Sequence, residues 1–136
     1  MTDPRRWIYG SLDVVAALAY VAAVALAVPN RHVASAVHLY AIPVAAAVAA
    51  AGMFLGHARG RRVALAGATA WLALTFLLIV RICISAAFLA GVYGAFGKAA
   101  ASFALLIVAL LVEVVALLPI VQVKFLMSRA GRRAYA

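Results

Sequence analysis

An arginine and a glutamate stand inside consecutive apolar runs of this chain, Arg81 in one and Glu113 in the next. An ionised side chain in hydrocarbon costs several kcal/mol unless it finds a partner, water or a route to the interface. The two therefore read as a couple. They form either a static ion pair that fixes helix register, or a charged site open to water that takes an ion, a proton or a polar group of a substrate. A second constellation surrounds Asp13. At helical spacing Tyr9, Asp13, Ala16 and Tyr20 share one face, which sets two phenols beside one carboxylate. That group reads as an interior hydrogen-bonded cluster or, more sharply, as a carboxylate that loads a proton. Ser102, Glu113 and Lys124 recur every eleven residues, about three helical turns, and so form a polar line on one face; Gln122 falls off it.

Other chemistries find no support in the residue pattern. His38 and His57 stand nineteen residues apart, about 28 Å along a helix, too far to ligate one ion. His32 can approach His38, but no carboxylate lies near to complete a site, so neither a metal nor a haem is expected, nor any other cofactor. The single cysteine, Cys83, rules out an intrachain disulfide and reads as a small buried hydrophobe. There is no Gly-rich phosphate loop, no nucleophile elbow and no metal-binding His pair at helical spacing. The chain is thus more readily read as something other than an enzyme.

The elements that carry these residues follow from composition. Of 136 residues 70% are hydrophobic and 11% charged, against about 25% charged in soluble domains. Four apolar runs account for nearly all of the chain, each long enough to cross a hydrocarbon core of about 30 Å. The fold class expected is all-α: one polytopic membrane domain, a bundle of four transmembrane helices over about 7–28, 36–57, 63–90 and 99–126. The first run resembles a signal peptide with a small-residue cleavage site, but it is longer than an h-region and contains Asp13, so it is expected to stay as a helix. Pro29 and Asn30 predict a turn, Pro43 predicts a bent second helix, and Gly91 to Lys98 reads as a Gly-rich link. On that link Arg81 lies about 13 Å below the surface and Glu113 about 21 Å, a gap that a long Arg side chain spans.

The formal charge of +9 resembles a nucleic-acid signal until positions are considered. The basic residues cluster at the ends of the runs, so no nucleic acid is expected, and a basic rim would instead attract anionic lipid headgroups. Arg5, Arg6, Arg59, Arg61, Arg62, Lys124, Arg129, Arg132 and Arg133 fall on one side, against Arg31 and Lys98 on the other. That bias places both termini in the cytosol. Rich in Ala, Val and Arg and poor in Lys, the chain suggests a bacterial inner membrane. The motif Gly52 to Gly56 reads first as close packing within the bundle and second as a subunit contact, while short loops and Ala- and Gly-rich surfaces overall point first to a subunit of a larger membrane assembly or a homo-oligomer, with protein partners. A proton- or ion-coupled transporter of small solutes using Glu113 and Asp13 is the alternative, and a lipid- or quinone-acting enzyme the third.

Overall fold

Apolar runs of this length in lipid must satisfy every backbone group internally, which leaves the helix as the element they form. A computed structural model describes residues 3–27 and 33–136, and every long element in it is helical. Helix α1 spans Pro4–Ala27, α2 Val33–Leu55 and α3 Ala58–Val92. A fourth rod is built from α4 (Gly94–Leu110), a π-helical stretch (Leu111–Ala116) and α5 (Leu117–Met127), and a short α6 (Arg129–Ala134) closes the chain. Among the described residues, four helices are thus long and apolar enough to cross a membrane. The turn expected at Pro29 and Asn30 lies outside the described residues.

The expected connections are shorter than the sequence suggests. The Gly-rich link shrinks to the break at Tyr93, because Gly94 takes φ +55° and reverses the chain. Gly97 then lies where any Cβ would strike the Leu89 carbonyl, so the two helices close at once. The basic stretch 57–62 is helical from Ala58, after α2 ends at Gly56 in the left-handed region. The basic tail also folds: Ser128 caps α6 by accepting from the Gly131 amide at 3.1 Å. Pro43 is buried inside α2, which continues through it as one helix.

Small residues set the helix spacing. A Cβ at Gly52 would fall on the backbone of Ala64, and one at Gly67 on that of Ala49, so α2 and α3 touch backbone to backbone. The small-residue face at Gly52 is therefore spent inside the bundle. Two apolar clusters fill the interior. One, at the end carrying both termini, joins Met53, Ala64, Phe125, Leu126 and Tyr135. The other, higher up, joins Ile42, Ala45, Ala46 and Trp71. At 1.5 Å per residue α1 and α2 are about 35 Å long, while α3 and the fourth rod run about 51 Å. The hairpin of the last two therefore stands well past the other pair.

Candidate functional site

Asp13 faces the interior of α1 and is fully buried, 0% exposed. Its partner is the carboxamide of Gln122, also 0% exposed, whose Nε2 donates to Asp13 Oδ1. The other carboxylate oxygen, Asp13 Oδ2, and the amide oxygen, Gln122 Oε1, are both buried with no hydrogen-bond partner. Sequence reasoning placed Gln122 off the polar line and went no further. Nine residues from Glu113 is two and a half turns, which sends Gln122 to the opposite, inward side of the rod. Depth offers the missing signal: Asp13 is about 14 Å from the start of α1 and Gln122 about 8 Å from the end of α5. Both therefore lie in the lower part of the bundle, at the end that holds the termini.

The phenols expected beside Asp13 are engaged elsewhere. The Tyr9 ring packs on Phe125 with centroids 5.3 Å apart, and Tyr20 packs against the upper apolar cluster. Above the Asp13–Gln122 contact a cavity of about 280 Å³ separates α1 from the fourth rod. Ala16, Ala19, Tyr20, Trp71, Val114 and Val115 line it. Trp71 Nε1 and Thr75 Oγ1, four residues apart on α3, are two further buried polar atoms without a partner.

Arg81 and Glu113 are not brought together: among the described residues no ion pair joins them. Arg81 Nη1 instead lies 3.4 Å from His38 Nδ1, and His38 Nε2 lies 3.0 Å from the Leu74 carbonyl. One tautomer serves both contacts, with Nε2–H donating to Leu74 and Nδ1 accepting from the guanidinium. Two features keep the pair apart. The hairpin reverses at Tyr93, so Arg81 is about 16 Å from the tip and Glu113 about 28 Å, a gap of about 12 Å. The two side chains also leave their helices on different sides: Arg81 reaches His38 on α2, whereas Glu113 is exposed on the outside of the fourth rod. Sequence reasoning weighed His38 only as a metal ligand and missed this role. Arg81, His38 and Ser85 together line an open groove of about 250 Å³.

Glu113 sits in the π-helical stretch and is exposed on the outside of the fourth rod. Ser102 and Lys124 are exposed as well, and Ser102 Oγ donates back to the Lys98 carbonyl at 3.0 Å. The wider turns of a π segment interrupt the eleven-residue register, so the polar line does not run straight from Ser102 to Lys124.

The rim of basic residues conceals a structural arginine. Arg6 is 4% exposed. Its Nε donates to the Met53 carbonyl at 3.2 Å, and Nη1 donates to those of Gly56 at 3.4 Å and Ala134 at 3.2 Å. The guanidinium also lies 4.9 Å from the centre of the Tyr135 ring, while Tyr135 donates its hydroxyl to Met53 Sδ at 3.0 Å. Arg61 Nε donates to the Leu126 carbonyl at 2.9 Å. Arginines here satisfy the last carbonyls of α2, α5 and α6, where helix dipoles favour a cation. Comparison of the chain with protein-family models, characterised proteins and solved structures gives no match.

Proposed function

We propose that this chain is a small integral membrane protein that works inside an assembly, as a subunit beside other chains or as several copies of itself. Glu113 carries the reading. Its carboxylate stands outside the bundle near the middle of a rod of about 51 Å, where any lipid-facing charge is costly. A neighbour that covers that face removes the penalty, and the π-helical stretch is the kind of local irregularity that often marks a working surface. The basic end faces the cytosol of a bacterial inner membrane and meets anionic lipid there. Mild-detergent purification followed by native mass determination tests it. The expected result is a fixed multiple of the 14.2 kDa chain, or a second chain at fixed stoichiometry, weakened by Glu113→Lys. A bare monomer under these conditions, and in lipid nanodiscs, refutes it.

Coupled transport is the second reading, favoured by a fully buried carboxylate, Asp13, about one helical turn along α1 from Ala16 in the wall of a cavity between α1 and the fourth rod. Solute or proton flux in liposomes containing this chain alone, abolished by Asp13→Asn, is its expected signature. Flux that Asp13→Asn leaves unchanged refutes it.

A further inference from the structure

The contact between α1 and the fourth rod is made by side chains, chiefly Asp13 on Gln122 and Tyr9 on Phe125, with the cavity directly above. The donors and acceptors at Asp13 and Gln122 do not balance. A carboxylate only accepts, and a carboxamide has one oxygen that only accepts. After Gln122 Nε2 donates to Asp13 Oδ1, two buried acceptor oxygens remain, Asp13 Oδ2 and Gln122 Oε1, neither with a hydrogen-bond partner. Such atoms are costly unless satisfied. A single proton on Asp13 supplies the missing donor, removes the charge and closes a ring of two hydrogen bonds, N–H···O one way and O–H···O the other. Exchanging the nitrogen and oxygen of the carboxamide leaves the requirement intact, because an oxygen facing Oδ1 then needs the proton on Oδ1.

We infer that Asp13 and Gln122 form a one-proton acid–amide pair, a proton-binding site that latches α1 to the fourth rod beneath the cavity. Release sends the proton to water and breaks the O–H···O bond. It leaves an anion facing an amide oxygen, so the helices part or water enters between them.

The charged surroundings are few. On α1, Arg6 lies two turns below and Tyr9 one turn below. The packed stretch 41–56 of α2 carries no titratable side chain, and on α3 Arg61 lies near the bundle's terminal end. On the fourth rod Lys124 is exposed, and Tyr135, just after α6, lies close enough to feel the charges of Arg6, Asp13 and Arg61. The latch goes beyond the assembly reading: it concerns the inner face of the rod, whereas Glu113 lies on the outer one, so either can fail alone.

The test follows entry into the cavity, with Ala16→Cys at its half-buried wall as reporter in a Cys83→Ser background and a thiol reagent as probe, in lipid nanodiscs over a pH series, each rate divided by that of the denatured chain at the same pH because the thiolate is the reacting form. Labelling should rise roughly fivefold or more in one step as pH increases, the population change expected when one hydrogen bond is lost. Asp13→Asn mimics the protonated ring, because its amide donates to Gln122 Oε1; its labelling should stay slow at every pH. Gln122→Leu cannot close the ring and should label fast at every pH, which keeps the test open should the Asn variant fold poorly. Infrared difference spectra should show, below that step, a protonated-carboxyl band that Asp13→Asn removes and Gln122→Leu shifts. A pH step that survives in either variant overturns the proposal, as does a wild-type Asp13 without that band at every pH at which the chain is folded.

Discussion

Removing Arg6 should loosen the whole terminal end of the bundle, although the sequence shows only another basic residue in a rim of them. The guanidinium makes three hydrogen bonds to carbonyls, at 3.2 to 3.4 Å, and lies over the Tyr135 ring. Bonds this long fall below the roughly 1.5–3 kcal/mol usual for charged donors, to about 1 kcal/mol each, and the ring contact adds about 1 kcal/mol. Arg6→Ala should therefore cost about 3 to 4 kcal/mol and leave the Met53, Gly56 and Ala134 carbonyls short of a donor. Arg6→Lys should recover only part, about half, because an ammonium cannot span three carbonyls and stack on a ring at once. Arg5 is exposed, and Arg5→Ala should stay within about 0.5 kcal/mol. Equilibrium unfolding in mixed micelles, followed by tryptophan fluorescence, measures all three. Trp7 is a local probe, since its ring packs on Phe54 with centroids 5.3 Å apart. Equal stabilities of the Arg5→Ala and Arg6→Ala chains would refute the assignment.

Gly52→Val should cost at least about 3 kcal/mol by forcing α2 off the Ala64 backbone. Gly91→Val, which meets open space, should leave thermal unfolding nearly unchanged. Burial pushes the Tyr135 phenol up from its ordinary value, with Arg6 and Arg61 pulling it down. A group raised on folding gives stability that is complete below its unfolded value of about 10 and is lost as pH rises through the folded one. The wild-type chain should accordingly lose stability above about pH 10 more steeply than Tyr135→Phe, in pH-dependent melting curves.

Composition and run length alone determined the helical class and the four apolar rods, because hydrocarbon leaves a backbone no other way to satisfy its polar groups over such lengths. Single-sequence reasoning also picked out Asp13, Arg81 and Glu113, since charges within apolar runs stand out whatever the fold. It did not give their partners. Arg81 meets His38 because the reversal at Tyr93 sets it about 12 Å above Glu113 and the rotation of α3 turns it toward α2. Asp13 meets Gln122 because the rotation of the fourth rod turns that amide inward. Arg6 became a clasp only once the ends of α2 and α6 came together around it. Periodicity within one helix fixes which residues share a face, but the offset and rotation between helices come from close contacts such as Gly52 on Ala64. Those contacts are set by packing in three dimensions, and a one-dimensional pattern does not encode them.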